Sequence, residues 1–351
     1  MISAPDLEAN PPDRRALITG ITGQDGSYLT ELLLSKNYEV HGLVRRASTM
    51  NTSRIDHLVG RRSDGCGELF LHHGDLSEAT RLTSLIDRIA PHEVYNLASQ
   101  SDVQVSFEQP EYTAETTATG VTRILEAIRT TCRYARFYQA SSSEIFGSSP
   151  PPQDEATAFC PRSPYAAAKL YAFWMTRNYR EAHGIFAVNG ILFNHESPRR
   201  GRTFVTRKIA AAAARIALGI DQYVHLGNLD AIRDWGYAPE YVEGMWRMLQ
   251  HDRPDDYVLA TGTACTVREF ADHCFRHVGL DYRAHVRFDE SFLRPTEVDS
   301  LIGDASKAHE VLDWNARTLP PQLAEIMVDA EVTALSGGVG ENLGTGFMND
   351  V

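Results

Sequence analysis

The sequence predicts a doubly wound α/β fold: a parallel sheet covered by helices on both faces (Rossmann type), with a smaller, discontinuous C-terminal substrate domain. Three observations predict it. From "RALITG" onward short apolar runs alternate with amphipathic stretches, as in successive βα units. The first run ends in "TGITGQDG", a glycine trio set between a strand and a helix. The chain has 351 residues, 43% of them hydrophobic, enough for one large core or two modest ones.

The opening "MISAPDLEANPPDRR" is acidic, carries prolines and has no apolar run. It therefore reads as a flexible tail over 1–14 rather than a signal peptide or membrane anchor. Strands are expected at 16–19 ("ALIT"), 39–44 ("EVHGLV"), 69–73 ("LFLHH"), 93–98 ("EVYNLA"), 136–141 ("RFYQAS") and 186–193 ("FAVNGILF"), with helical patterns between them. Composition becomes more mixed after residue 195, yet "EYVEGMWRMLQ" (240–250) and "DYVLATG" (256–262) read as a further helix and strand of the first domain. The first domain is thus expected at 15–194 plus about 237–262, and the second at 195–236 plus about 263–330. The glycine-rich end, 331–351, reads as a second flexible tail.

Charge and cysteine usage narrow the function. With 34 Lys+Arg against 46 Asp+Glu the formal charge is −12, which offers no general field for a nucleic-acid backbone. Any anionic ligand must meet local cations. The five cysteines are scattered and never spaced as Cys-x-x-Cys, so neither a disulfide framework nor a zinc site is expected, and a reducing cytoplasm is the simplest location. No His/Cys/carboxylate cluster has metal-ligand spacing.

Gly20, Gly23 and Gly26 close the first strand and open a helix. Without a β-carbon the backbone can turn tightly there and approach a pyrophosphate, whose charge meets the helix N-terminus. A plain tight turn is the simpler reading of a lone trio, but the flanking strand and helix favour a dinucleotide. About twenty residues on, where an acid would bind the ribose of NAD, the chain has "VRRAS". Arg45 and Arg46 suit a 2′-phosphate, with Ser48 adding a hydroxyl, so NADP is expected. Elsewhere two arginines would be a solvated loop.

In "SPYAAAKLYAFW" Tyr165 and Lys169 stand four apart on an expected helix and project from one face. An ammonium, together with a positive nicotinamide, favours the phenolate and lets the tyrosine act as a base. Such a pair alone usually marks a core edge and a solvated face; after a phosphate-binding turn it reads as catalytic. "YQASSSEIFG" adds a hydroxyl, Ser142, and a carboxylate, Glu144, at a strand's mouth. If the segment stays extended, both point to one side. Hydride transfer needs no carboxylate there, but elimination of water does: the proton beside a new ketone must be removed and a hydroxyl must leave protonated. A loop glutamate of no special role would cap the following turn or pair with an arginine.

These motifs together resemble the GDP-mannose 4,6-dehydratase family of extended short-chain dehydrogenases/reductases. The resemblance runs from "ALITGITGQDGSYL" and "GLVRRAS" through "YNLASQS", "FYQASSSEIFG", "PRSPYAAAKLYA", "NHESPRRG", "FVTRKI", "LGNLDAIRDWG" and "RPTEVD". It implies Ser142, Glu144 and Tyr165 as catalytic residues, with Lys169 supporting the tyrosine and the cofactor. It implies NADP held by Gly20, Ile21, Thr22, Gly23, Gln24, Asp25 and Gly26, by Arg45, Arg46, Ala47 and Ser48, and by Asp75 and Leu76. Leu97, Ala98, Ser99, Gln100, Ser101, Tyr112, His195 and Arg200 complete that set. For the GDP-sugar it implies Ser101, Asn194, Val205, Arg207, Lys208, Leu226, Gly227, Arg233, Arg294 and Glu297. A homodimer or homotetramer is implied as well. Met alone, His195 would be a packed histidine and Arg294 a surface partner of Glu297.

Three positions depart from the family's usual residues: Ser142 stands for threonine, Asp102 for histidine and Leu293 for tyrosine. They cluster where the hexose is expected, so another GDP-sugar such as a GDP-heptose stays open. An NADP-dependent epimerase or reductase on the same scaffold would convert substrate without losing water, and an NADP-binding sensor would need none of the catalytic groups.

Overall fold

The computed structural model describes residues 14–46, 48, 51–60, 67–293 and 295–339. The expected tail before Arg14, Ala47, Arg294 and the chain end after Val339 lie outside these residues. Strands β1 (Arg15–Thr19), β2 (Glu39–Val44), β3 (Leu69–His73), β4 (Glu93–Asn96), β5 (Arg136–Ser142) and β6 (Ala187–Leu192) form where the apolar runs stand. Four short strands follow: β7 (Asn194–Glu196), β8 (Val224–Leu226), β9 (Ile232–Arg233) and β10 (Trp235–Tyr237). Then β11 (Asp256–Leu259) returns to the main sheet, whose order is β11-β6-β5-β4-β1-β2-β3 with every pairing parallel.

Alternation along the strands decides which residues face which helices. Ala16 and Ile18 of β1 join one core with Leu29 and Leu33 of α1 (Gln24–Ser35), whereas Leu17 faces the opposite core. That second core takes Leu82, Leu85 and Ile86 from α2 (Ala79–Ile89). After the short α3 (Val103–Glu108) and α4 (Pro110–Ala114) come its other helices, α5 (Gly120–Thr131) and α6 (Pro164–His183). Beyond the sheet, α7 (Val205–Ala217) precedes α8 (Ala238–Gln250), whose Tyr241 and Met245 return to the first core.

A separate cluster gathers Ile209 and Ala213 of α7, Trp235, Phe270 and Phe275 of α9 (Val267–His277), and Leu323 and Met327. The remaining elements are β12 (Cys265–Thr266), β13 (Val286–Phe288), α10 (Tyr282–His285), α11 (Ser306–Leu312) and α12 (Pro320–Val339). The C-terminal tail expected from residue 331 is corrected here, since α12 continues to Val339. Glu331 explains the extension: it is buried on that helix and paired with Arg207 of α7.

Two buried carboxylates tie the layers together. Asp256 of β11 accepts two bonds from Arg180 of α6, at 3.0 and 2.9 Å, and one from Asn189 of β6 at 2.9 Å. Arg180→Ala strands that carboxylate and is expected to cost about 3–5 kcal/mol of stability, measured by urea unfolding. Asp234, between β9 and β10, is fully buried. It accepts bonds from the Thr261 amide and hydroxyl (2.8 and 2.7 Å), the Gly262 amide (2.8 Å) and the Gly303 amide (3.3 Å).

Candidate active site

The strand order reverses between β1 and β4, the place where doubly wound sheets bind ligands. A cavity of about 1130 Å³ opens there. Its floor is the glycine turn. Gly20 has φ +72°, and a β-carbon on it would lie 2.8 Å from the Ala98 amide nitrogen. One on Gly26 would come within 2.3 Å of the Gly20 carbonyl oxygen. The turn therefore excludes side chains at both positions and leaves backbone free for a ligand. Gly23 precedes the helix as its N-cap.

Of the expected cofactor residues, Gly20, Thr22, Gly23, Gln24, Asp25 and Gly26 line the cavity, as do Arg45, Asp75, Leu76, Tyr112, His195, Arg200 and the run Leu97, Ala98, Ser99, Gln100 and Ser101. Three differ. The Ile21 side chain is fully buried in the first core, against Gly42, so it offers a ligand nothing beyond its backbone. Arg46 and Ser48 are exposed and stand outside the wall. Arg45 donates to the Tyr112 hydroxyl across the cavity's rim.

His195 Nε2 lies 2.9 Å from Asp25 Oδ2, and Nδ1 lies 2.8 Å from the Phe193 carbonyl oxygen. Gln24 donates to the His195 carbonyl at 3.1 Å. This joins the glycine turn to β7. Burial acts against charge on both partners, yet their mutual attraction overrides it, holding the Asp25 carboxyl at about 2 and raising the imidazole.

The catalytic side is built by β5 and α6. The strand ends at Ser142, and a single 3-10 turn follows over Ser143–Ile145. The expected extended course through Glu144 is corrected: Ser142 Oγ accepts the Glu144 amide at 3.3 Å and caps the turn. Glu144 is nonetheless buried in the cavity wall with Ser142. Helix α6 begins with Ser163 accepting the Ala166 amide at 3.0 Å and with Pro164 in its first turn. Tyr165 thereby sits in the first turn and Lys169 in the next, both lining the cavity.

Burial pushes the Tyr165 phenol up to about 12; a hydrogen bond with Ser142 opposes this, Glu144 adds to it, Arg200 opposes and Asp25 adds. Lys169 does not donate to the tyrosine. Its ammonium bonds the Ala140 carbonyl at 2.7 Å and stands 5.7 Å from the Tyr165 ring centroid. Burial lowers Lys169 to about 8 against a partial rescue by Asp25. Between about 8 and 10.5 the unfolded chain therefore holds more protons than the folded one, so stability rises with pH in that window. Urea unfolding of the cofactor-free protein across this range should show the rise, and Lys169→Met should abolish it.

The opposite wall carries Asn194, Val205, Lys208, Leu226, Gly227, Arg233 and Glu297, as the resemblance implies. Arg233 is buried and donates to the Ile232 carbonyl at 2.8 Å. Lys208 lies 3.4 Å from the Phe292 ring centroid. Arg207 is the correction: it donates to the Pro198 carbonyl, pairs with Glu331 and lines a neighbouring cavity instead. Its helix turns it away, since Thr206 and Lys208 on either side occupy the main wall.

Glu196 and Phe292 also line the cavity but were not among the expected residues. Glu196 pairs with Arg200 at 3.0 Å and accepts the Thr206 hydroxyl at 2.5 Å. Its i,i+4 spacing from Arg200 inside "NHESPRRG" was the available signal. Phe292 had none.

A doubly wound sheet, a glycine turn at its switch point and a Ser/Tyr/Lys group facing that turn define an extended short-chain dehydrogenase/reductase. The GDP-mannose 4,6 dehydratase family model matches residues 17–327. The chain belongs to that family. It is 55% identical over 332 residues to GDP-mannose 4,6 dehydratase 1 of Arabidopsis thaliana, covering 93% of this chain and 92% of that protein. It is 50% identical over 348 residues to the Homo sapiens GDP-mannose 4,6 dehydratase, covering 93% and 94%. Among solved structures, RMD from Pseudomonas aeruginosa complexed with NADPH superposes with a TM-score of 0.74 at 21% identity, covering 92% of this chain and 99% of that one. A Bacillus anthracis dTDP-glucose 4,6-dehydratase gives a TM-score of 0.79 at 16% identity, covering 92% and 98%. These two show the shared fold.

Proposed function

We propose that the protein is a GDP-mannose 4,6-dehydratase, a hydro-lyase that converts GDP-mannose to GDP-4-keto-6-deoxymannose and water. One observation carries the reading: a buried carboxylate, Glu144, shares the cavity wall with Ser142, Tyr165 and Lys169. An epimerase or reductase has no task for it. Half-identical relatives carrying this activity's name over nearly their whole length support the same conclusion. Incubation with GDP-mannose, run beside a GDP-heptose, should give a product lighter by one water, followed by mass. Conversion without that loss would refute the reading.

The residues present fit NADP. The glycine turn admits no β-carbon at Gly20 or Gly26, and Arg45 at the end of β2 faces the cavity with Tyr112. When bound, the dinucleotide supplies a hydride acceptor and returns the hydride at the end, so none is consumed. Tyr165 accepts the proton of the C4 hydroxyl while Ser142, already bonded to the phenol, holds the C4 oxygen. The resulting C4 ketone acidifies the C5 proton, which Glu144 removes. The C6 hydroxyl then leaves as water with a proton from the same carboxyl. Tyr165 gives the proton it took from the C4 hydroxyl back at C5 as C6 is reduced, so both residues end as they began. With a phenol held near 12, proton acceptance depends on the positive charge that arrives with the oxidised cofactor. Burial keeps water from the intermediates.

In this reading residues 15–194 with about 237–262 form the NADP domain, to which His195 and Arg200 are added, and 195–236 with about 263–330 form the GDP-sugar domain, through Lys208 and Arg233. Arg45→Ala should weaken NADP by ~10- to 100-fold while leaving NAD nearly unchanged; equal losses for both would refute the 2′-phosphate role. A cytoplasmic homodimer or homotetramer is part of the reading. Among the described residues no helix is long and apolar enough to cross a membrane, and Tyr171 and Trp174 of α6 are exposed together, an apolar face that a second copy would cover. Sedimentation velocity tests it.

A further inference from the structure

Thr19, Asn96 and Gln139 occupy one register level on the neighbouring strands β1, β4 and β5, with Thr19 beside Asn96 and Asn96 beside Gln139. Each is 1% exposed, and none of the three lines the main cavity. A buried polar row costs more than an apolar one unless its groups are bonded. Here they are bonded in one chain with a fixed direction. The Ala98 amide can only donate, and it bonds Thr19 Oγ1 at 3.2 Å. The Thr19 hydroxyl then donates to Asn96 Oδ1 at 2.6 Å, the Asn96 amide to Gln139 Oε1 at 2.8 Å, and the Gln139 amide to the Ala140 carbonyl at 3.0 Å. A carbonyl can only accept, so both ends of the chain agree on every amide orientation.

The Lys169 ammonium rests on that same Ala140 carbonyl, at 2.7 Å. A carbonyl oxygen has two lone pairs; Gln139 takes one, which leaves the other as the seat of the lysine. We propose that Gln139 is a positioning residue for the reaction: through the Ala140 carbonyl it sets where the Lys169 ammonium stands, and through Asn96 and Thr19 it ties that place to the cofactor wall at Ala98. The role rests on the function proposed above, because it matters to turnover only where Lys169 does.

The consequence is geometric. Ala98, Ala140 and Lys169 all line the main cavity, so the buried row holds the ammonium at a fixed offset from the wall on which a dinucleotide would lie. A shift of about 1 Å in such a group can cost on the order of 10²-fold in rate. Gln139 makes no contact with a ligand to achieve this, since it acts from behind the wall.

Two variants separate positioning from packing. Gln139→Glu keeps an acceptor for Asn96 but turns a carboxylate oxygen toward Ala140, which draws the ammonium off its seat and makes it hold its proton more firmly. Urea unfolding of the cofactor-free protein reads this without substrate: the wild-type rise in stability between about pH 8 and 10.5 should flatten, because the folded-state lysine then titrates nearer its unfolded value. Gln139→Met fills the space and donates to nothing. It should lower kcat on GDP-mannose by ~10- to 100-fold, with KM and the NADP Kd changed less than about twofold, and should cost kcat little more when Lys169→Met is already present. An unchanged rise in Gln139→Glu, or a Gln139→Met loss as large without the lysine as with it, would overturn the proposal. Wild-type protein that leaves GDP-mannose unconverted would count against the proposed function alone, since the unfolding measurement stands without it.

Discussion

Glu144→Gln should leave NADP binding intact and cut dehydration of GDP-mannose by about 10²- to 10⁴-fold. The substitution keeps the side chain's size and its place beside Ser142, and removes the carboxylate proposed to take the C5 proton and give one to the C6 hydroxyl. Oxidation at C4 does not need that carboxyl. A single turnover should therefore begin and stall, leaving the near-ultraviolet absorbance of reduced dinucleotide standing after substrate is added. Full turnover by the variant would refute the assignment of Glu144; loss of cofactor binding would make it structural.

Tyr165→Phe should lower the rate by a similar ~10²- to 10⁴-fold, with the opposite signature. Without a hydroxyl to receive the C4 proton, oxidation itself is slow, and no reduced dinucleotide should accumulate. The variant keeps the ring buried at the start of α6, so its stability should change little. Because a phenol held near 12 is protonated in the cofactor-free cavity, NADP binding should release part of that proton. Proton uptake or release on binding, measured in buffers of different ionisation enthalpy, should shrink in Tyr165→Phe.

Local pattern made the scaffold legible. Every strand of the main sheet but the edge strand β3, whose Phe70 and Leu71 are exposed, is a largely buried apolar run, and parallel strands buried on both faces carry that signature plainly. The glycine turn and the Tyr165–Lys169 spacing were legible for the same reason: both are contiguous, and one backbone geometry fixes what they can face. What escaped depended on contacts distant in sequence. Arg207 looked like a ligand contact in "FVTRKI" until α12 delivered Glu331 to pair with it. The Lys169 spacing from Tyr165 was legible, but its anchor was not: one of the ammonium's three donors goes to the Ala140 carbonyl of β5. The 3-10 turn after Ser142 was hidden because three serines and a glutamate are compatible with either a strand or a cap.

The carboxylate of Asp234 has a mechanical consequence. It clasps the chain just after β11 and again at Gly303, next to an arginine of the substrate wall. Pulling these segments apart would strand a desolvated anion, so the cleft cannot open there by translation. Asp234 thus acts as a pin that keeps the backbone beside Arg233 in step with the end of the main sheet, so the position of that guanidinium is inherited from the scaffold rather than from its own loop.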